Sequence, residues 1–520
     1  MERTKFNKLA CCLFAAVAAI ATIFPQTASA DDEKVKIDKY YYWLDTENKT
    51  AELAPTEETD DYASGNLTIP ATVKDGETSY RVTRIGDYAF SFCTSLTKVT
   101  IPTTITSIGA GAFQGCSKLA TVVFQVSRVE EIGDAAFEGC SSLSSITLPS
   151  SVKKIGAWAF ASCTSLKAAA LHGGIKSVGK NAYMRCTSLT TATFACKLDA
   201  VPDGIFDHCT SLTRFAMPDS VAKNLKSIGV ASFYDCPKLT SIEMGDSLVR
   251  VEACSFMSCT GLGAVTLPAT VNFIGHDAFT ACQKMTAINI PDGVDSIGDH
   301  AFKDASALKS ITMSDSVKYL GEQAFAYCTN LESATLSNQI KEIGFKTFAG
   351  CTNLTYVKMA DDLTSIGDSA FQGTKCIDSL YLPKLTSIGD YAFADCGTLS
   401  YAYLPESITS FGEGVFSADT VRCIYAGWNE GPKLSSRVYA SCDTLYVPEG
   451  KYIFYYKRTG WSRTSGTKLF KTYNKATVGI EEVSAARRDD DAYYTIDGIQ
   501  VLEPEKGRIY IHGGRKIIAR

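Results

Sequence analysis

Along most of the chain, apolar residues follow two alternating patterns. The first reads apolar-x-x-apolar-x-apolar, as in Leu96, Val99 and Ile101, with polar Thr97, Lys98 and Thr100 among them. That is the two-residue alternation of a strand with one buried face. Pro102 closes it, and Pro149, Pro218, Pro268, Pro291, Pro383 and Pro405 recur at the same place. Proline has no amide hydrogen for a sheet ladder, so each predicts a turn just past a strand. The second pattern follows at once: Ile105, then Ile108-Gly109, then Ala112-Phe113. Its leading aliphatic recurs at Ile85, Ile108, Ile132, Ile155, Val178, Val201, Ile228, Val251, Ile274, Ile297, Leu320, Ile343, Ile366, Ile388 and Phe411, a spacing of 23 residues with departures of one to four.

A regular period of roughly 20–30 residues is the signature of a solenoid. One strand and one turn have no opposing layer, so a single coil cannot bury its apolar groups; its neighbours must supply the cover. The expected fold is a β-rich solenoid of about fifteen 23-residue coils with a parallel β-sheet on one face. Strands about 4.8 Å apart would extend it roughly 70 Å. The glycine after the leading aliphatic is expected to supply either an unusual backbone conformation or a close approach. Phe90, Phe113, Phe137, Phe160, Phe279, Phe302, Phe325, Phe348, Phe371 and Phe393 share one repeat position and should stack as an interior ladder.

Strands of the form Leu-x-x-Ile-x-Leu-Pro alternating with Ile-Gly-x-x-Ala-Phe turns resemble the leucine-rich repeats of the BspA-like family of bacterial surface proteins. The resemblance covers about residues 85–416. Gly173 and Gly174 replace the proline near Leu171, four extra residues surround Asn224, and Ala305 stands where cysteine is usual. What the resemblance implies is a leucine-rich repeat array presenting its sheet for adhesion to host or bacterial partners.

The ends of the chain differ from the repeat. Arg3, Lys5 and Lys8 precede the apolar run Leu9 to Phe24, and Ala28-Ser29-Ala30 offers small residues for cleavage, so residues 1–30 read as a signal peptide and the protein as exported. Residues 31–84 read as an N-terminal cap and half-repeat: a hairpin around Tyr40-Tyr41-Tyr42-Trp43, then the repeat-like strand Leu67-Thr68-Ile69-Pro70. The array spans residues 85–426. Residues 427–475 form a capping segment, in which Thr444 to Gly450 repeats the strand-proline theme and Tyr452 to Trp461 supplies aromatics to close the core. Residues 476–491 read as a charged linker. Residues 492–520 look like three short strands, similar to the sorting or attachment segments that end secreted Bacteroidetes proteins; a small β appendage with no export role fits equally.

Composition narrows the function. Residues 1–30 hold three of the 51 basic and one of the 56 acidic residues, so the remainder carries a formal −7, which argues against a nucleic-acid partner. No second long apolar run follows, so no transmembrane segment is expected after signal removal. Cysteine is abundant, which in an exported protein suggests disulfides. Twelve, however (Cys93, Cys116, Cys140, Cys163, Cys186, Cys209, Cys236, Cys259, Cys282, Cys328, Cys351 and Cys396), hold one repeat position. One residue per coil at one interior site reads as a ladder of buried thiols. Cys196, Cys254, Cys376, Cys423 and Cys442 lie off it, and Cys254 or Cys376 could reach a neighbour. His172, His208, His276, His300 and His512 are scattered and read as solvated surface groups. No metal-ligand spacing, nucleophile elbow or acid pair stands out, so no cofactor, metal or enzymatic activity is expected.

The outward strand positions carry the remaining signal. Early coils offer small residues, such as Thr190, Thr191 and Thr193. Later ones change to Tyr356 with Lys358, Asp378 with Tyr381, and Tyr401 with Tyr403. Stacked about 4.8 Å apart, Tyr356, Tyr381, Tyr401 and Tyr403 are expected to form one contiguous aromatic patch flanked by Lys358 and Asp378, suited to a protein or glycan ligand. The leading reading is an exported, cell-surface binding protein. The alternative is a glycan-capturing accessory of a polysaccharide-uptake system. The oligomeric state is left open.

Overall fold

The computed structural model describes residues 34–55, 63–126, 128–375, 379–429, 438–456, 461 and 467–473, and the backbone of four short strands between 493 and 518. About sixteen turns of roughly 23 residues stack into a parallel β-solenoid. The expected strand face is present. Lys98, Val99, Thr100 and Ile101 pair in parallel with Thr121, Val122, Val123 and Phe124, and Ser310–Thr312, Ser333–Thr335 and Tyr356–Lys358 repeat the arrangement. Between 216 and 310 the face thins to a single bridge, Val265 to Ile288.

A second parallel ladder, not foreseen from the sequence, runs along the leading aliphatics. Ile85 pairs with Ile108, Ile108 with Ile132, Ile132 with Ile155 and Ile155 with Val178. The following glycines explain how coils come so near: a Cβ on Gly133 would stand 2.6 Å from the carbonyl carbon of Gly109, and one on Gly298 would stand 2.6 Å from that of Gly275. Of the two roles expected for this glycine, the structure shows the close approach. The left-handed backbone lies elsewhere, at the third and seventh residues after each aliphatic: Tyr88 and Phe92, Ala135 and Gly139, Asn181 and Arg185, His300 and Asp304. There the turns bond across coils, with the amides of Tyr88, Phe90 and Phe92 donating to the carbonyls of Ala110, Ala112 and Gln114 at 2.7, 2.8 and 2.6 Å.

The core lies between these faces. Rings stack from Phe90 to Phe416 with neighbouring centroids 5.2–6.0 Å apart, and Tyr183, Phe206, Phe233, Phe256 and Phe416 join the predicted set. These spacings suit offset aromatic pairs.

At the N-terminal end, Tyr40–Asp45 and Thr50–Ala54 form the expected antiparallel hairpin. Thr50–Ala54 then pairs with Thr78–Ile85, and Tyr40 meets Phe90 edge-on at 5.7 Å. At the other end Thr398–Leu404, Phe416–Ala426, Tyr439–Pro448 and Thr467–Tyr473 continue the parallel sheet. Trp461, fully buried, packs near Phe411, Trp428, Tyr439 and Tyr455. The extra residues near Asn224 form a short helix, Asp219–Ala222. The tail has four antiparallel strands rather than three. The signal-peptide and linker assignments fall outside the described residues.

Candidate binding surface

Register in a parallel sheet places like positions side by side, so one outward residue per coil becomes a row. Tyr381 pairs with Tyr403, Tyr403 with Tyr425, Tyr425 with Tyr446 and Tyr446 with Lys471. The rings follow the backbone: centroids of Tyr381 and Tyr403 lie 5.3 Å apart, and Tyr425 and Tyr446 lie 4.3 Å apart with planes only 1° from parallel. Beside this row runs a second, Ser379, Tyr401, Cys423, Thr444 and Leu469. Tyr401 reaches across to Tyr425 at 5.2 Å. Tyr473 meets Tyr425 edge-on at 5.7 Å and its hydroxyl donates to the Ala426 carbonyl at 3.3 Å.

The row is graded in exposure: Tyr381 keeps 48% of its surface and Tyr425 only 9%. Burial raises the pKa of Tyr381, Tyr401 and Tyr403 and brings Tyr473 up to about 12. The tyrosines of the row offer phenolic hydroxyls, each a donor and an acceptor.

This corrects the expected patch. Tyr356, 55% exposed, pairs with Ser333 in the preceding sheet. The repeat aligns it with Ser379 and Tyr401, whereas Lys358 aligns with Tyr381. Asp378 lies outside the described residues. Tyr425, Tyr446 and Lys471 were missed, although tyrosines 22 and 21 residues beyond Tyr403 and Tyr425 continue the period and carried the signal.

Four other exposed aromatics, Tyr88, Phe92, Tyr327 and Tyr391, have a structural explanation. Each of these sits at a left-handed position, its ring laid over a glycine in the next coil: a Cβ on Gly115 would meet Phe92 at 2.5 Å, one on Gly350 would meet Tyr327 at 2.5 Å, and one on Gly414 would meet Tyr391 at 2.6 Å. His276 is exposed, as expected, whereas His208 and His300 are half-buried. His276 faces Asp299 at 3.5 Å, His300 faces Asp277 at 3.7 Å, and His208 bonds the buried Asp207. The Asp299 partner raises the His276 pKa, and His276 in turn lowers that of Asp299. Among the described residues no group of three or more His, Cys, Asp or Glu converges on a metal position.

The cysteine ladder has a backbone partner. Sγ of Cys116, Cys140, Cys163, Cys259 and Cys351 donates to the carbonyl of Phe90, Phe113, Phe137, Phe233 and Phe325, one coil back, at 3.0–3.2 Å. Donation requires the protonated thiol, and burial secures it by raising the pKa of Cys140, Cys186 and Cys259 to about 12. The ladder cysteines are thiols rather than disulfides.

Comparison with known proteins agrees with this architecture. The sequence matches the BspA type leucine rich repeat region over residues 73–133, 121–226, 226–344 and 319–446. No curated protein matches it. Among solved structures, a leucine-rich repeat protein from Bacteroides ovatus is similar, at 25% identity and a TM-score of 0.60 over 85% of this chain and 100% of that one. A leucine rich cell surface protein from Faecalibacterium prausnitzii is 25% identical over 74% of this chain and 96% of its own, with a TM-score of 0.41. With its repeat, two ladders and stacked core accounted for, this chain belongs to the BspA-type leucine-rich repeat family.

Proposed function

We propose that this protein is an exported, surface-associated scaffold that binds a protein partner through the tyrosine row of its C-terminal sheet. The observation that carries this reading is the in-register run Tyr381, Tyr403, Tyr425, Tyr446, Lys471. Tyrosine combines apolar area with a hydroxyl at low conformational cost, which is why it concentrates in protein hot spots. The ring geometry favours protein over glycan. Sugar stacking needs an open ring face, whereas Tyr425 and Tyr446 cover each other's faces. A ligand meets ring edges and hydroxyls, with a lysine at one end.

Export is supported by the basic and apolar start of residues 1–30, and a surface location by the family. No helix among the described residues is long and apolar enough to cross a membrane; the tail at 492–520 is the proposed attachment element on its resemblance to the terminal β segments of secreted proteins. Residues 31–520 screened in parallel on a panel of extracellular matrix and bacterial surface proteins and on a glycan array test the reading. Saturable binding to proteins is expected; binding confined to glycans would overturn it in favour of glycan capture.

A further inference from the structure

At the repeat position of the ladder cysteines, eight residues after the leading aliphatic, the last coil carries Asp419 eight residues after Phe411. Its side chain is fully buried. Oδ1 accepts the Gly397 amide at 2.7 Å, while Oδ2, also buried, has no hydrogen-bond partner among the described residues. Every cysteine of the ladder that bonds back to a phenylalanine carbonyl does so as a donor; a carboxylate has no proton to give. The site also joins two unlike parts. Before it lie the 23-residue coils; at it, within the Phe416–Ala426 strand, the register against Tyr439–Pro448 shifts between Phe416 and Thr420.

We propose that Asp419 is a proton-dependent latch between the repeat array and its C-terminal cap, closed as the neutral acid and loosened when the carboxylate forms. The titratable and charged groups on the adjoining elements are Asp395 and Cys396 in the preceding coil, Arg422 and Cys423 on its own strand, and Tyr439, Cys442 and Asp443 on the next. Burial opposes its ionisation most strongly and the Asp395 charge adds to this, while the backbone amides of Gly397 and Cys396 favour the carboxylate; the balance brings the Asp419 pKa up to about 6. The folded-state value lies above the unfolded value of about 3.9. Between them the folded state binds the extra proton, so stability falls as pH rises from about 4 through about 6 and levels off above. Tyr425 lies on the same strand, so the latch sits beside the proposed binding row, yet the inference stands without it.

The test compares residues 31–520 with Asp419→Asn and Asp419→Cys, each neutral and able to donate. Tm is measured from pH 4.5 to 8, with hydrogen exchange of the 416–426 and 439–448 strands at both ends of the range. The expected result is a wild-type Tm that drops relative to both variants as pH rises through about 6, with exchange in those strands at pH 8 faster in wild type than in either variant at the same pH. Parallel Tm profiles, or equal exchange in wild type and Asp419→Asn at pH 8, would overturn the proposal. A cysteine variant that matches wild type while the asparagine variant is unfolded would do the same.

Discussion

Cysteine at the ladder position serves as a small buried hydrophobe and as a donor to a carbonyl that the parallel stacking leaves facing it. The substitutes show the two roles separated. Ala305 keeps the apolar character alone, while Thr374 turns its hydroxyl to the Phe371 carbonyl of its own coil at 2.9 Å. The neighbouring rings carry more of the stability. Phe256 stacks on Phe233 at 5.3 Å and on Phe279 at 5.3 Å and is fully buried. Phe256→Ala is expected to destabilise by about 3–5 kcal/mol. Cys259→Ala, which removes one weak hydrogen bond, is expected to cost about 1 kcal/mol. Equilibrium urea unfolding of the two variants checks the order; equal losses would mean that the ring ladder is not the main cohesive contact.

At the scale of the coil, three devices hold one turn to the next: the strand ladder, the ladder at the leading aliphatic, and the bonded turns. Acidic residues after the Ile-Gly pair add a fourth. Asp134 Oδ1 accepts the Ala157 amide at 2.7 Å, Asp368 Oδ1 the Asp390 amide at 2.8 Å, and Asp390 Oδ1 the Glu413 amide at 2.7 Å. Because the coils touch backbone to backbone at the glycine, Gly133→Ala is expected to cost roughly 1–3 kcal/mol, the range of an overpacked core. Its new Cβ would lie 2.6–2.9 Å from Gly109 and Ala110 backbone atoms, which belong to the ladder and have no rotamer to change. A thermal midpoint equal to wild type would show that the ladder can part at no cost. Much of the coil was legible in the sequence because the same side chain recurs: Phe at one site, Cys at another, Ile-Gly at a third. The left-handed positions were not legible, since their occupants are as unlike as Tyr88, Ala135, Asn181 and His300. What those sites share is a backbone angle set by the stacking, and residue type does not report it. The aspartate caps were hidden for a related reason, because their donors are main-chain amides one coil away.

For the whole molecule, nearest-neighbour stacking makes one coil much like the next in structure, so function must come from what departs from the repeat. The outer face departs at its C-terminal end, where small residues give way to Tyr381, Tyr403, Tyr425 and Tyr446. The aromatic character of that end was readable from the sequence. Its shape was not, because neighbours depend on register: Tyr356 pairs back to Ser333 in the preceding sheet, while Tyr425 and Tyr446 extend the row of Tyr381 and Tyr403. The central claim is that this row binds the partner, and the most direct measurement is the Kd of a captured protein partner for wild type and for the combined Tyr381→Ser and Tyr403→Ser variant, with Tm recorded for both. The account predicts binding at least tenfold weaker, about 1.4 kcal/mol, with Tm nearly unchanged because Tyr381 is half exposed and Tyr403 is only partly buried. An unchanged Kd in a variant of wild-type Tm would contradict it.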